Sequence, residues 1–231
     1  ISVTGLTCEK LVNPLAIDNT VPHFSWMIHS DRTGASSAAY QVVVATSPEK
    51  LDEKNADLWN SGKVPGSESL SVRYEGKPLA SKAFAYWKVR VWDNEGNVSQ
   101  WSAPASFGIG FLDDKDWASN AAFIGVPGNR GKSEVAPLLR KTFTAKEDAE
   151  RYLLHVNSLG YHEAYVNGTA VSDAVLSPAV SQFGVRTRIV TYDVTSMVHS
   201  GENDIIIWTG KGWYQTHNKA VVPGGPYVRA Q

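Results

Sequence analysis

Short polar side chains and aromatic rings occur together in the second half of this 231-residue chain, in a combination that could bind a sugar. An Asn-Gly pair at 167–168 is followed by Asp173, and the segment Gly-Lys-Gly-Trp-Tyr begins further along at Gly210. Sugar sites combine flat rings, on which the C–H faces of the sugar stack, with short polar groups that orient its hydroxyls. These residue types predict carbohydrate-binding roles for Asn167, Asp173, Trp213 and Tyr214.

Motifs of the familiar catalytic classes are missing from the sequence. It contains no Gly-x-Ser-x-Gly turn for a hydrolase nucleophile and no His-x-x-x-His pair for a metal. Gly131-Lys132-Ser133 would need a second glycine where Val126 stands to form a phosphate loop. Acidic clusters at 113–116 and 147–150 lie in polar segments, whereas glycoside hydrolysis needs two carboxylates about 5–9.5 Å apart around the bond. We therefore predict no catalytic residue in the chain.

Composition excludes several classes of partner. The chain has 22 Lys and Arg against 23 Asp and Glu, so it lacks the basic excess that nucleic acid or an anionic membrane attracts. No apolar run approaches the roughly 18 residues of a membrane span. The single Cys8 rules out an internal disulfide framework and is interpreted as a small apolar residue. We expect no nucleic-acid partner, no membrane partner and no cofactor.

Strand patterns separated by short polar turns must position these residues. Apolar residues recur at every second position in three early runs, which is typical of strands with one buried face. The runs are 24–28, 40–44 and 83–93, and a further short strand is predicted over 69–74. Eight Trp and nine Tyr residues also favour strand-rich structure, because flat rings pack well on pleated surfaces.

The run 83–93 is the clearest of these strands. Its predicted inward face consists of Ala85, Trp87, Val89 and Val91. Its predicted outward face consists of Tyr86, Lys88, Arg90 and Trp92. The loop 94–97 predicts a hairpin leading to Trp101, so that Lys88 or Arg90 could stack on neighbouring rings as a surface ladder.

A polar stretch rich in turn-forming residues follows Gly110 and predicts a domain boundary. Residues 1–110 are predicted to form a fibronectin type III-like β-sandwich. Residues 111–231 are predicted to form a jelly-roll, galactose-binding-like sandwich, with the Asn167-Gly168 pair making a type I′ hairpin turn. Because the end of the sequence shows no clear closing strand, we expect the chain to stop inside this second domain. The predicted fold class is all-β.

Several phrases now resemble one enzyme family when taken in order. They are Leu-Val-Asn-Pro-Leu-Ala-Ile-Asp from 11, Pro-His-Phe-Ser-Trp from 22, Ala-Asp-Leu-Trp-Asn-Ser-Gly-Lys-Val from 56 and Tyr-Trp-Lys-Val-Arg-Val-Trp-Asp from 86. The second half adds Leu-Gly-Tyr from 159, Val-Asn-Gly from 166, Tyr-Asp-Val-Thr from 192 and Gly-Trp-Tyr from 212. This set is similar to the N-terminal region of bacterial α-L-rhamnosidases.

The resemblance implies an inverting glycoside hydrolase that releases terminal L-rhamnose from glycosides. Its catalytic residues would lie in a helical (α/α)6 barrel, and nothing in this sequence is typical of that barrel. The chain is therefore interpreted as the non-catalytic N-terminal β-domains, with the missing barrel and a rhamnose-containing glycan as partners. A periplasmic or extracellular bacterial location is expected, although the sequence contains no signal peptide.

In some relatives the second domain is a calcium-dependent rhamnose-binding module that uses an Asp-Asn pair after the Asn-Gly hairpin. Asp173 matches the acidic position, but Ala174 replaces the Asn, and the family's Pro-Gly-Trp-Thr is altered to Pro-Ala-Val-Ser at 178–181. The metal ligands, if any, therefore stay unassigned. Two alternatives remain open: a functional rhamnose-binding module, or the sugar-binding sandwich of a β-galactosidase-like glycosidase.

Overall fold

The computed structural model of the chain describes residues 1–126, 136–215 and 225–231. The chain folds into two compact units, Ile1–Asp116 and Trp117–Gln231. The first unit extends beyond Gly110 because the Asp116 carboxylate accepts hydrogen bonds from the backbone N–H groups of Leu112 and Asp113. The Gly131-Lys132-Ser133 triplet lies outside the described residues. None of the helices in the described part of the chain has both the length and the apolar character that a membrane-spanning helix needs.

The first unit is built from two antiparallel sheets. Its strands are β1 (Ser2–Cys8), β2 (His23–His29), β3 (Ser37–Ala45), β4 (Trp59–Asn60), β5 (Val64–Pro65), β6 (Val72–Arg73), β7 (Phe84–Asp93) and β8 (Ala105–Gly108). One sheet has the order β1-β2-β6, and the other has the order β4-β3-β7-β8 with β5 also paired to β3. The long strands β3 and β7 pair over most of their length, from Ala39 opposite Trp92 to Ala45 opposite Tyr86.

Aromatic side chains from both sheets form the core of the first unit. Trp87 on β7 and Phe24 on β2 are fully buried and stack with ring centroids 4.3 Å apart. Phe107 meets Phe24 edge-on at 5.6 Å. Ala85, Val89 and Val91 are 0–1% exposed, which confirms the inward face predicted for this strand. Truncating a ring at such a site typically costs about 3–5 kcal/mol of stability.

The outward face of β7 carries the predicted ladder of cations and rings. The Arg90 guanidinium carbon lies 4.7 Å from the centroid of Trp101 and 5.0 Å from that of Trp92. The Lys88 ammonium lies 5.0 Å from the Trp101 ring, on the same side of the sheet. Arg90 also donates two hydrogen bonds to the Gln41 amide oxygen, at 3.0 and 2.7 Å. The ladder is therefore confirmed, and it fastens β7 to β3.

The segment that returns from the 94–97 loop is irregular and becomes a strand only at Ala105. Two serines hold it against β7. The Ser99 N–H donates to the Val91 carbonyl, while its hydroxyl oxygen accepts from the Val91 N–H at 3.0 Å. Ser102 makes the same pair of bonds with Val89. These bonds stand in for strand pairing, and they place Trp101 over Arg90.

The second unit is also built from two antiparallel sheets in its described part. Its strands are β9 (Leu138–Thr144), β10 (Leu153–Leu159), β11 (Tyr161–Val166), β12 (Thr169–Ala170), β13 (Ile189–Asp193), β14 (Glu202–Gly210) and β15 (Tyr227–Ala230). The sheets have the orders β13-β10-β15 and β12-β11-β14-β9. Leu154, Val156, Val166, Ile207 and Val228 are the main buried side chains between them.

Short 3-10 helices complete the described secondary structure, at Pro48–Lys50, Asp114–Asp116, Thr195–Met197 and Gly212–Gln215. The all-β class is confirmed. The last segment, for which the sequence shows no clear strand pattern, forms β15 and pairs with β10 from Val156 opposite Ala230 to Leu159 opposite Tyr227. This strand has only four residues, of which Val228 is the fully buried one, so it shows little apolar alternation.

A buried polar chain crosses the interior of the second unit. His162 on β11 is 3% exposed, and its two ring nitrogens lie 2.7 Å from the Ser158 hydroxyl and 2.9 Å from the Tyr192 hydroxyl. Burial lowers the pKa of His162 to about 4, because a charged imidazolium is poorly solvated there. The histidine therefore stays neutral near pH 7 and joins β11 to β10 and β13.

We expect the Arg90→Ala substitution to lower the free energy of unfolding by about 2 kcal/mol, because it removes two ring contacts and the ion pair with Glu53 and leaves the Gln41 oxygen unpaired. Urea denaturation followed by near-ultraviolet circular dichroism measures the change. Lys88→Ala, at the end of the ladder, is the matched control and should cost less than about 1 kcal/mol. Equal losses for the two variants would show that the sandwiched position of Arg90 contributes nothing.

The imidazole resonances of His162 should titrate with a midpoint near pH 4 in an NMR experiment, and the His162→Gln variant assigns them. Between the ordinary histidine pKa of about 6.5 and this value, the unfolded chain takes up a proton that the folded chain does not. The free energy of unfolding therefore falls by roughly 3 kcal/mol in total as the pH is lowered from about 6.5 to about 4. A midpoint near 6.5 would contradict the buried network.

Candidate functional site

Asn167 occupies the hairpin turn between β11 and β12, as predicted for the Asn-Gly pair. Its φ is +50° and that of Gly168 is +78°, the left-handed conformation that both residue types tolerate. Its amide nitrogen donates to the Met197 carbonyl at 2.9 Å and to the Asn203 side-chain oxygen at 2.7 Å. Its own side-chain oxygen accepts from the Asp204 N–H at 3.0 Å. Asn167 thus fastens the turn to β14 and has few groups left for a ligand.

Asp173 is exposed and lines a cavity of about 150 Å³ on the second unit. His162 and Tyr192 also line this cavity, so the buried polar chain forms part of its wall. The Asp173 carboxylate makes no hydrogen bond or ion pair within the described residues. It is the predicted site residue whose polar group is most available to a ligand.

Glu163 lies in the same cavity as Asp173, but its carboxylate is already engaged. It accepts a hydrogen bond of 2.7 Å from the Tyr165 hydroxyl. This bond raises the pKa of Tyr165, because the carboxylate stabilises the protonated phenol. The pKa of Tyr192 is also raised, in that case mainly by burial. Both phenols therefore keep their protons at neutral pH.

Trp213 and Tyr214 lie next to each other in the 3-10 helix after β14 but differ in exposure. The Trp213 side chain is 62% exposed and is available as a stacking surface. Tyr214 is 1% exposed and packs edge-on against Phe183, with ring centroids 5.3 Å apart. The structure therefore places Trp213 at the surface and Tyr214 in the interior.

The four predicted residues do not meet in one place. Asn167 is bonded at Asp204, near the start of β14, whereas Trp213 follows the end of that strand at Gly210. A strand rises about 3.3 Å per residue, so the two lie roughly 20 Å apart along β14. The described lining of the Asp173 cavity contains none of the other three residues.

A second cavity, of about 200 Å³, shares His162 and Glu163 with the first. Tyr161 and Trp208 also line this second cavity, and neither ring was predicted to be a site residue. Trp208 is 45% exposed, and its indole N–H donates to the Ala136 carbonyl at 3.1 Å. The sequence gives no signal for Trp208, because it follows three consecutive isoleucines on β14 and shows no alternation of apolar and polar residues.

The residues around Asp173 do not fit a calcium ion. Calcium takes six to eight oxygen ligands, while Asp173 supplies one carboxylate and Ala174 no side-chain oxygen. Throughout the described ranges, no group of three or more His, Cys, Asp or Glu side chains is placed to hold a metal ion.

Two family models match the chain in succession. Residues 3–113 match a model described as the Rha78A-like, N-terminal immunoglobulin domain. Residues 147–228 match a model described as the alpha-L-rhamnosidase N-terminal domain. Immunoglobulin and fibronectin type III domains share the two-sheet sandwich architecture, so the first match agrees with the sandwich predicted for the first unit.

Curated relatives and solved structures agree with these matches. An alpha-L-rhamnosidase of Formosa agariphila is 37% identical over 91% of this chain and 25% of that protein. One of Alteromonas sp. is 31% identical over 89% of this chain and 23% of that protein. The structure of alpha-L-rhamnosidase from Dictyoglumus thermophilum has a TM-score of 0.87 and 30% identity, and covers 100% of this chain and 27% of that one.

The structure of the Aspergillus terreus enzyme has a TM-score of 0.81 at 24% identity, which shows the fold alone. The chain spans about a quarter of the length of the curated relatives that it matches. The two family models match one after the other along the chain. The chain therefore belongs to the alpha-L-rhamnosidase family and corresponds to the N-terminal region of those proteins.

Proposed function

We propose that the two units are the non-catalytic N-terminal domains of an inverting α-L-rhamnosidase that releases terminal L-rhamnose from glycosides. The catalytic (α/α)6 barrel then lies outside these residues. The observation that carries this proposal is the succession of two N-terminal family domains in a chain that spans about a quarter of its relatives. A periplasmic or extracellular location in a bacterium stays a prediction.

The described carboxylates support a non-catalytic role. Glycoside hydrolysis needs a general acid whose pKa is raised, so that it holds a proton at the working pH. Every described carboxyl group with a clearly shifted pKa has it lowered instead. The pKa of Asp93, for example, is held at about 2 by the Asn97 amide and the N–H groups of its turn. Such groups stay ionised and cannot protonate a leaving group.

The size of the Asp173 cavity points in the same direction. It contains two carboxylates, those of Asp173 and Glu163, which is the number that hydrolysis requires. Its volume of about 150 Å³ is below the roughly 300–1,000 Å³ of ligand pockets that enclose a substrate. Glu163 is also occupied by Tyr165. The cavity could therefore contact one sugar residue but not enclose both sides of a glycosidic bond.

We expect the purified chain to show no hydrolysis of p-nitrophenyl α-L-rhamnoside above the uncatalysed rate, because the catalytic barrel is proposed to lie outside these residues. Release of nitrophenolate measures the rate, with a full-length alpha-L-rhamnosidase as the positive control. Hydrolysis above the uncatalysed rate that is lost in a Glu163→Gln variant would place catalysis in this chain and overturn the proposal.

A rhamnose-binding role for the second unit is the alternative that the geometry favours. The free carboxylate of Asp173 and the phenol oxygen of Tyr192 can accept hydrogen bonds from sugar hydroxyls. Ala164, Val171 and Val175 also line the cavity and offer apolar contacts to the C6 methyl group of L-rhamnose. This role is compatible with the absence of catalysis.

Calorimetric titration with L-rhamnose should give a dissociation constant in the millimolar range, about −4 kcal/mol, and Asp173→Asn should weaken it about tenfold. Calcium or a chelator should make no difference, since the ligand oxygens are too few. Asp148→Asn, at an exposed turn, is the matched control. The absence of heat at about 50 mM sugar would remove this second role.

A further inference from the structure

A larger cleft is formed entirely by residues of the first unit. It has a volume of about 500 Å³, within the usual size range of ligand pockets. Its position is the side of the sandwich, where the edge strands β4 and β5 of one sheet lie near the edge strand β6 of the other. The cleft is therefore a separate candidate for ligand binding.

The cleft is open because these edge strands are only two residues long. The chain passes from one sheet to the other through residues 66–71, which are fixed by a few backbone bonds. The Gly66 N–H donates to the Ala38 carbonyl, and the Ser69 carbonyl accepts from the Trp26 N–H. Ser71 donates its N–H to the Ser25 hydroxyl. Residues 66–71 therefore form one side of the cleft, and they leave open the space between β6 and the edge strands β4 and β5.

Charged side chains of both signs line the cleft without partners. Glu68, Arg73 and Glu75 line it, and none of them makes a hydrogen bond or ion pair within the described residues. Elsewhere on this unit, Arg32, Lys50 and Arg90 have carboxylate partners. Two acceptor groups and one planar donor are therefore available around one space.

Two aromatic residues line the cleft beside these charges. Tyr40 and Trp59 are half-buried, and Trp59 stacks on the core ring of Phe24 with centroids 6.4 Å apart. The Tyr40 hydroxyl and the Trp59 N–H make no hydrogen bond in the described chain and are not among its buried unsatisfied groups, so both face solvent. Burial, together with Glu68 and Glu75, raises the pKa of Tyr40, which keeps its phenol protonated.

We propose that this cleft binds a sugar unit of a neutral glycan. A pyranose presents C–H groups to aromatic faces and vicinal hydroxyls to charged side chains. Each hydroxyl both donates and accepts, so one ring can bond carboxylates and a guanidinium together. Leu70, which is 76% exposed at the same cleft, adds an apolar contact.

Other ligand classes match this set of groups less well. A cationic side chain would be attracted by Glu68 and Glu75 but repelled by Arg73. An anion would be attracted by Arg73 but repelled by the two glutamates. A purely apolar segment would leave three charges without solvent or partner, which is costly. The proposal does not depend on the proposed enzyme family, because it uses only the groups in the cleft.

Titration of the ¹⁵N-labelled chain tests the proposal, with the Trp59 indole N–H resonance as the reporter and Trp59→Phe to assign it. The probes are the methyl glycosides of L-rhamnose, D-galactose and D-glucose, each added to about 50 mM. At least one should shift the Trp59 resonance saturably with a millimolar dissociation constant. Nα-acetyl-lysine amide serves as the cationic probe and should leave the Trp59 resonance unchanged.

Conservative variants identify the groups that bind. Tyr40→Phe and Glu75→Gln should each weaken binding about three- to tenfold, as expected for one hydrogen bond. Asp31→Asn, an exposed carboxylate of the same unit outside the cleft, should leave binding unchanged. Asp173→Asn should also have no effect on the Trp59 shift, which separates this site from the second unit. The proposal is overturned if no sugar moves the resonance, or if only the lysine derivative does.

Discussion

Burial of one face of each strand is the constraint on which this structure depends. Successive side chains of a strand point to opposite sides, so a shift of one residue in register would expose the whole apolar face. In β7 that face is Ala85, Trp87, Val89 and Val91, and all four are almost completely buried. The other face then has to carry polar or charged residues, and the ladder around Arg90 is the result. The core and the surface of the first unit are therefore consequences of one alternation.

Most of the polar groups that could have served a ligand are instead used to hold the sheets together. Ser99 and Ser102 replace strand pairing along β7, Asn167 fastens a hairpin turn, and His162 links β11 to two other strands. The side chains left without partners in the described chain include Asp173 in the second unit and the three charged residues of the cleft in the first. This division leaves those four side chains as the polar groups to which the proposed sugar ligands would bind.

The sequence predicted those features that depend on local pattern. The buried face of β7, the ladder and the Asn167 turn follow from alternation and from residues that tolerate positive φ. Features that depend on a single buried residue or on distant segments were not predictable in this way. The strand β15 shows no clear alternation, and the 3-10 turn after β14 does not indicate which of Trp213 and Tyr214 faces the core. The cleft combines residues from Tyr40 to Glu75, which only the pairing of two sheets brings together.

The size of the polypeptide that carries these two units in its source tests the central claim most directly. Mass spectrometry and immunoblotting with an antibody against this region measure it. If the units are the N-terminal domains of a rhamnosidase, the polypeptide should be about four times the 25.2 kDa of this chain, since the chain spans 25% of its relative. A native polypeptide of about 25 kDa that itself hydrolyses rhamnosides would contradict the claim.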